Sequence, residues 1–281
     1  MSDWLPVALP VLLAAALVVL PGLAISWTAG LPLEAAVGAA PAVSLGALAL
    51  ADVAGTRFRV PWGVPWIAVV LVVLVGVALV ARVLIRRLVA RRVGLAAAPE
   101  SAPAPRWWGW WYAGGLVLAA VGGAYVIARG IGAPDAINQT FDAPFHVNAI
   151  ASVAAQASAS PAVVSSASGG TAFYPPLFHG IAGLLVISTG ISAITAANVV
   201  AVVIAAVMWP LSVALLVRVV VGRSVLGHLI AMSGAVLVSL FPALLLLFGV
   251  RGQFAPPIPS ERVASVFRSA VSNCSTNFHS A

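Results

Sequence analysis

Long apolar runs are the feature that most constrains this chain. Residues 5–27, 64–84 and 113–131 are each almost free of charge along their length. A helix of about 20 such residues, rising about 1.5 Å per residue, crosses a hydrocarbon core of about 30 Å. The whole chain is 62% hydrophobic and 7% charged, whereas soluble domains are about 25% charged. The sequence therefore excludes a water-soluble domain and predicts an all-α, polytopic bundle of transmembrane helices.

The apolar runs predict about seven spans within a transmembrane domain at residues 1–250. The spans are expected at 5–27, 33–51, 64–84, 113–131, twice within 176–217, and at 226–248. Segment 177–190 allows a second interpretation, as a re-entrant or interfacial helix. Residues 251–281 form a polar tail without apolar periodicity, predicted to be disordered. A tail of this kind is also compatible with the sequence being the N-terminal part of a longer protein.

The arginines predict how the bundle is oriented. All 14 basic residues are arginine, and six of them lie between residues 82 and 106. Because basic loops stay in the cytoplasm, the loop at 82–112 is predicted to be cytoplasmic. The loop at 132–175 is then extracytoplasmic, in the inner membrane of a bacterium. Two crossings within 176–217 would place Arg218 outside, against the rule.

The same basic residues indicate which partners to expect, and the cysteine count limits the possible metal sites. They lie beside apolar spans, where arginine meets lipid headgroups, so we expect membrane lipids and no nucleic acid as partners. The use of arginine without lysine, with much Ala, Gly and Val, is typical of a GC-rich bacterium. Cys274 is the single cysteine, which excludes an intramolecular disulfide and a multi-cysteine metal site.

Polar residues concentrate in the predicted extracytoplasmic loop. Asp142 precedes Ala143-Pro144 as an N-cap residue precedes a helix. The helix is expected to run to about Ser158, as a short amphipathic helix at the membrane surface. His146 lies four positions after Asp142, on the same side of the helix start. The pattern predicts that carboxylate and imidazole approach one site.

Two chemical roles follow for this site. Asp142 is a candidate general base with His146 assisting, since a base must reach the proton of an acceptor hydroxyl. Alternatively Asp142, with Asp135, binds a divalent cation such as Mg²⁺ or Mn²⁺, which prefers oxygen ligands. His179, at the start of the next apolar segment, is the third catalytic candidate, because a histidine there is costly unless it has a function.

Each of these candidates also has a structural interpretation. Asp142 could serve only as a helix cap, His146 could lie in the membrane interface, and His179 could bond a neighbouring helix. Three arginines in or near the predicted outer loops, Arg57, Arg59 and Arg129, are candidates to bind a lipid phosphate. Their alternative is to extend to the headgroups around the protein.

Two motifs carry a resemblance to known proteins. They read F-D-A-P-F-H-V-N-A-I at 141–150 and F-Y-P-P-L-F-H-G at 173–180. Together they resemble an uncharacterised family of polytopic membrane proteins from GC-rich bacteria. That family in turn is similar to the GT-C class of glycosyltransferases.

The resemblance implies an activity. GT-C enzymes use a polyprenyl-phosphate-linked sugar at the outer face of the membrane. They carry an acidic residue in an extracytoplasmic loop, followed by a short surface helix, so Asp142 would be that residue, with His146 and His179 near it. The chain departs from the class because its loop follows the fourth span and no D-x-D is present.

Two other functions remain open at this point. One is a component of a transporter, which would need polar groups or broken helices within its spans. The other is a non-catalytic membrane scaffold, in which the three candidate catalytic residues could be replaced without loss of function.

Overall fold

The computed structural model describes residues 2–92, 106–167, 169, 173–221, 229–230, 232–237 and 254–255. This part of the chain is almost wholly helical. A short 3-10 helix, Ser2–Val7, leads directly into the first α-helix. The helices are α1 (Ala8–Ala29), α2 (Leu33–Phe58), α3 (Val64–Arg92), α4 (Arg106–Ile131), α5 (Ala143–Gln156), α6 (Pro161–Ser166), α7 (Leu177–Thr189), α8 (Ala193–Val203) and α9 (Trp209–Val221).

Two short elements complete the described fold. A π-helical segment, Ile204–Met208, joins α8 to α9 without a break. Strand β1 (Ile137–Asn138) pairs antiparallel with β2 (Phe254–Ala255). The strand pair brings a piece of the predicted tail back to the connection that follows α4.

Five helical stretches of the described chain are long and apolar enough to cross a membrane. They are Asp3–Ala29, Leu33–Phe58, Val64–Leu88, Gly109–Ile131 and Ala193–Val221. The predicted multi-pass all-α architecture is therefore confirmed, and the second span extends beyond its predicted end at residue 51. The predicted seventh span, 226–248, lies mostly outside the described residues, as do the linker at 96–105 and all of the tail except 254–255.

One end of the bundle is rich in arginine, and we call it the arginine end. There Nη1 of Arg82 in α3 donates to the carbonyl of Thr28, at the end of α1, over 3.2 Å. Arg218 in α9 forms an ion pair with Glu34, at the start of α2. Arg218 thus lies at the same end as Arg82, and not with the loop at 132–175, where two crossings within 176–217 would have placed it. The physical reason is that 193–221 forms one continuous crossing.

The opposite end holds the connection from α4 to α7, and we call it the loop end. Nε1 of Trp4, before α1, donates to the carbonyl of Gly132, just after α4, over 2.8 Å. The amide of Asn198 in α8 donates to the carbonyls of Pro134 and Ala136, both over 2.9 Å. The start of the last described span therefore lies at the loop end.

Helix α7 is too short to cross the bilayer. Its 13 residues reach about 20 Å at 1.5 Å per residue. His179 near its start contacts α5, and Gly190–Ser192 join its end directly to α8 at the loop end. Both ends of α7 thus face the same end of the bundle, as the interpretation of 177–190 as a re-entrant or interfacial helix requires.

Local sequence explains how α7 turns into α8. Gly190 adopts a left-handed conformation with φ of 72° at the end of α7, which glycine accepts without strain. The hydroxyl of Ser192 then accepts a hydrogen bond from the amide of Thr195 over 3.1 Å and caps α8.

The π-helical segment also has a local cause. Pro210 follows it and has no N–H to donate to the carbonyl of Ala206, so the regular ladder is interrupted there. On the facing helix α4, a Cβ atom at Gly123 would lie 2.9 Å from the carbonyl oxygen of Ala205. The altered backbone therefore fits against α4 only because this position is glycine.

Candidate functional site

Three predicted site residues form one hydrogen-bonded chain. Nε2 of His146 lies 3.1 Å from Oδ2 of Asp142, and Nδ1 of His146 lies 2.9 Å from Nε2 of His179. The side chain of Asp142 is 63% exposed and that of His146 is 27% exposed, whereas His179 is 1% exposed. The chain thus leads from a carboxylate in solvent to an imidazole in the protein interior.

The start of α5 directs Asp142 toward His146. Asp142 occupies the predicted N-cap position, and α5 ends at Gln156, two residues before the predicted end. However, the Asp142 side chain makes no capping hydrogen bond to the helix backbone. Its partners are His146 and the hydroxyl of Thr140. The interpretation of Asp142 as a simple helix cap is therefore wrong.

Hydrogen bonding and burial set the charges of Asp142 and His179, the two end members of this hydrogen-bonded series. The hydrogen bond from Thr140, and then that from His146, hold the pKa of the Asp142 carboxyl below its usual range. Burial, assisted by the neighbouring His146, lowers the pKa of His179 from 6.5 to about 4. At neutral pH, Asp142 is a carboxylate and His179 is a neutral imidazole.

Helix α5 is held against α7 by apolar packing. Ala149, Ile150 and Val153 are fully buried. A Cβ atom at Gly183 of α7 would lie 2.4 Å from Cγ1 of Val153, so glycine is what allows the two helices to approach this closely. The apolar face of α5, predicted to lie against the membrane surface, contacts α7.

Aromatic rings surround the two imidazoles. His146 and His179 stack with centroids 5.2 Å apart and planes inclined by 18°. Phe145, Tyr174 and Phe178 approach His179 edge-on, with centroids 5.4 to 5.7 Å away. These contacts fix the ring orientations and exclude water from His179. The two Phe-His dipeptides of the sequence motifs are thus brought together.

Trp62, in the connection between α2 and α3, positions the start of α7. Its Nε1 donates to the carbonyl of Gly180 over 2.8 Å, and its backbone N–H donates to the carbonyl of Ala157. The side chain is 4% exposed. Sequence reasoning missed this residue, because nothing in the local pattern indicates a partner more than a hundred positions away.

A cavity of about 300 Å³ opens beside His146. Its polar lining comes from His146, Asn138 and Asn198, and most of the remaining lining is apolar. Asn198 was another residue to which the sequence assigned no role, although an amide within a predicted span is a signal that could have singled it out. Its two hydrogen bonds to the connection after α4 shape this wall of the cavity.

A second cavity, of about 190 Å³, lies on the other side of Phe178, which lines both. Its other walls come from α1, α2, α7, α8 and the π-helical segment. They are apolar throughout, and include Val18, Leu45, Ile181 and Met208. A cavity with three polar lining residues and a wholly apolar cavity are thus adjacent, and Phe178 lines both.

The other predicted site residues lie in exposed positions near the loop end. Asp135 is in the turn after α4, Arg57 and Arg59 are at the end of α2, and Arg129 is in the last turn of α4. The described residues contain no group of three or more His, Cys, Asp or Glu side chains placed to hold a metal ion. The divalent-cation role of Asp142 and Asp135 stays a prediction, as does the phosphate role of the arginines.

Comparison with known proteins gives a family but no activity. No curated protein and no solved structure matches the chain. The glycosyltransferase resemblance therefore still depends on the two motifs alone. A family match covers residues 15–255, which is most of the chain. This membrane protein therefore belongs to DUF6541, a family of unknown function.

Proposed function

We propose that this protein is a GT-C-like glycosyltransferase that acts on a lipid-linked sugar at the outer face of the cytoplasmic membrane. The observation that carries the proposal is the Asp142–His146–His179 chain, whose His146 lines one of two adjacent cavities, the one with polar groups, while the other is apolar. A carboxylate that stays ionised can accept a proton from a hydroxyl group. Neither a scaffold nor a simple structural helix pair requires such an arrangement.

The two cavities suit a substrate with a polar head and an apolar tail. The larger one, about 300 Å³, lies at the lower limit of ordinary ligand pockets. It offers His146 and two asparagines to a polar group. The smaller cavity has an apolar lining, which suits the first part of a polyprenyl chain whose remainder stays in the bilayer.

The proposed reaction is a transfer of a glycosyl group to an acceptor hydroxyl. The hydroxyl oxygen forms a bond to the anomeric carbon, and the bond from that carbon to the phosphate oxygen breaks. The polyprenyl phosphate leaves with the bonding electron pair. Asp142 takes the proton of the hydroxyl, so that no charge has to build up on the attacking oxygen. The arginines at the loop end would attract the phosphate.

The position of the arginines supports the proposed sidedness. The site lies at the end of the bundle opposite Arg82 and Arg218. If the arginine end faces the cytoplasm, the site faces outward, where polyprenyl-linked sugars are used by enzymes of the GT-C class.

Ligand-induced stabilisation tests the proposal. The thermal unfolding of the detergent-purified full chain is measured with and without polyprenyl phosphate, in the presence or absence of Mg²⁺. A ligand present at about 100 times its Kd stabilises the folded state by about 2.7 kcal/mol. We expect stabilisation of the wild type and of Gln139→Ala, an exposed control in the same connection. We expect it to be reduced or lost in Asp142→Ala.

Two other outcomes of this stabilisation experiment would change the interpretation. Stabilisation of the wild type only with Mg²⁺, lost in both Asp142→Ala and Asp135→Ala, would support the divalent-cation role. No stabilisation of a demonstrably folded wild type would contradict the glycosyltransferase proposal and favour a scaffold.

A further inference from the structure

We propose that the cavity beside His146 is a subsite for an uncharged, hydroxyl-bearing group, with Asn138 and Asn198 as the residues that determine its specificity. The identity of that group rests on the proposed function: it is the glycosyl part of the lipid-linked sugar, and the phosphate lies outside the cavity. The preference for an uncharged group does not rest on it, and follows from the polar atoms that the cavity presents.

Asn198, on α8, presents only a hydrogen-bond acceptor. It is 7% exposed and lines the cavity. Its side-chain nitrogen donates to the carbonyls of Pro134 and Ala136, each over 2.9 Å. Because a carbonyl oxygen can only accept, the atom that faces both carbonyls must be the nitrogen, and both of its hydrogens are used. No donor among the described residues pairs with Oδ1 of Asn198, so a ligand meets this residue with a donor.

Asn138, in β1, presents its amide nitrogen. Its Oδ1 accepts a hydrogen bond from the backbone N–H of Thr140 over 3.0 Å. Since a backbone N–H can only donate, this partner fixes the orientation of the amide. The side-chain nitrogen of Asn138 donates to no group in the described part of the chain. Asn138 is partly exposed and lines the cavity, so a ligand meets its nitrogen with an acceptor.

The remaining lining offers little to a charged ligand. Both ring nitrogens of His146 already have partners, Asp142 and His179. The other lining residues that the structure describes have apolar side chains, and no arginine is among them. The cavity thus combines one neutral donor and one neutral acceptor with apolar walls.

Hydroxyl groups match this pair of amides, because a hydroxyl can both donate and accept. Neighbouring hydroxyls of a sugar can accept from Asn138 and donate to Asn198 at the same time. A phosphate oxygen without a proton only accepts, so it would leave Oδ1 of Asn198 unpaired and facing a negative charge. A site built to hydrogen-bond one group discriminates against an analogue that lacks it, because buried polar atoms are then left unpaired. The cavity therefore favours a glycosyl group over a phosphate.

Protection of a cysteine in the cavity tests this specificity. In the full chain with Cys274→Ser, single cysteines replace Val147 in α5 and Ala201 in α8, which both line the cavity. Their rates of reaction with a small methanethiosulfonate are measured in an amine-oxide detergent, whose head group carries no hydroxyl. The probes are the octyl glycosides of glucose, mannose and galactose, and octyl phosphate, which has the same tail and an anionic head. A cysteine at the exposed Gln139, next to Asn138, is the control.

The expected result is selective protection. At least one glycoside should slow the labelling of the cysteines at 147 and 201, and octyl phosphate at the same concentration should leave both rates unchanged. The rate at 139 should respond to no probe. Equal or greater protection by octyl phosphate, or no protection by any of the three glycosides, would overturn the inference. Equal slowing at 139 would assign the effect to the micelle and overturn it as well.

The variant Asn138→Ser separates ligand recognition from local structure. A serine hydroxyl can still accept from the N–H of Thr140 in a turn of this kind, but the shorter side chain withdraws the donor from the cavity. We expect the glycoside concentration for half protection to rise roughly 2- to 10-fold, the effect of one neutral hydrogen bond. Gln139→Ser, which shortens the adjacent exposed amide, is the matched control and should leave this concentration unchanged. An unchanged concentration in Asn138→Ser would overturn the role of Asn138.

The subsite and the proposed function fail in different ways. Protection by a glycoside without any stabilisation by polyprenyl phosphate contradicts the proposed function and supports the subsite. Stabilisation by polyprenyl phosphate without protection by any glycoside supports the function and overturns the subsite.

Discussion

Arg218, near the end of α9, pairs with Glu34 at the start of α2, although 184 positions separate them in the chain. The guanidinium group of Arg218 also lies over the ring of Tyr112 in α4, with 5.7 Å between its carbon and the ring centroid. The Arg218 side chain is only 9% exposed. One arginine thus joins three membrane-crossing helices at the arginine end and fixes the direction of the last described span.

Replacement of Arg218 should therefore destabilise the bundle. In Arg218→Met the apolar stem is kept, but the ion pair and the contact with Tyr112 are lost. We expect the free energy of unfolding in mild detergent to fall by about 1.5–3 kcal/mol, the usual range for a hydrogen bond to a charged group. The exposed Arg57→Met is the matched control and should change little. Equal stability of both variants would show that the ion pair contributes nothing.

Cysteine accessibility tests the direction of α7. In a background with Cys274→Ser, single cysteines replace Gln139 in the connection after α4, Ser188 at the end of α7, and Leu31 between α1 and α2. All three positions are exposed. A membrane-impermeant thiol reagent should label 139 and 188 from the same side of the membrane and 31 from the other. If 188 were labelled together with 31, α7 would cross the membrane and the re-entrant assignment would be wrong.

Two neighbouring glycines of α4 provide a matched pair for the π-helical contact. In Gly123→Ala the new Cβ atom would lie 2.9 Å from the carbonyl oxygen of Ala205, whereas a Cβ atom at Gly122 would meet nothing within 4 Å. We expect Gly123→Ala to lower the free energy of unfolding by about 1–3 kcal/mol, as overpacking does. Gly122→Ala should be neutral or stabilising by up to about 1 kcal/mol, because alanine favours helix.

One result from this pair of variants would contradict the prediction. If Gly123→Ala were as stable as Gly122→Ala, the close approach of α4 to the π-helical segment would not be required for folding. Unfolding is followed by circular dichroism at the same detergent concentration for both variants.

The membrane fold and part of the site could be predicted from the sequence, for distinct physical reasons. Long apolar runs can fold in only a few ways in a bilayer. The four spans predicted up to residue 131 therefore correspond to membrane-crossing helices of the structure. The pairing of Asp142 with His146 follows from their spacing of four on one helix. These are local relationships, which a single stretch of sequence contains.

What the sequence did not predict depends on contacts between distant segments. The hydrogen bonds of Trp62 to Gly180 and of Asn198 to Ala136 each join residues more than 60 positions apart. The side on which Arg218 lies depends on whether α7 crosses the membrane. Hydropathy alone does not decide this, because a 13-residue apolar helix resembles a short span in composition.

Acidification should destabilise the protein through His179. Its pKa is about 4 in the folded protein and 6.5 in the ordinary reference state. Between these values the unfolded chain binds more protons, so stability is complete above about pH 6.5 and is lost as the pH falls toward 4. The full loss for such a shift is on the order of 3 kcal/mol. The stability of the wild type is measured by thermal or denaturant unfolding between about pH 5 and pH 8.

The His179→Leu variant isolates this effect, because it lacks the titrating ring while filling a similar apolar space. Its stability should fall less between those pH values than that of the wild type, although its absolute stability can differ. The Asp142 carboxyl does not obscure the comparison, because its depressed pKa places its own destabilisation at lower pH, below the ordinary aspartate range. Identical pH profiles for wild type and variant would mean that His179 is not held neutral by burial, and the pKa assigned to it would be wrong.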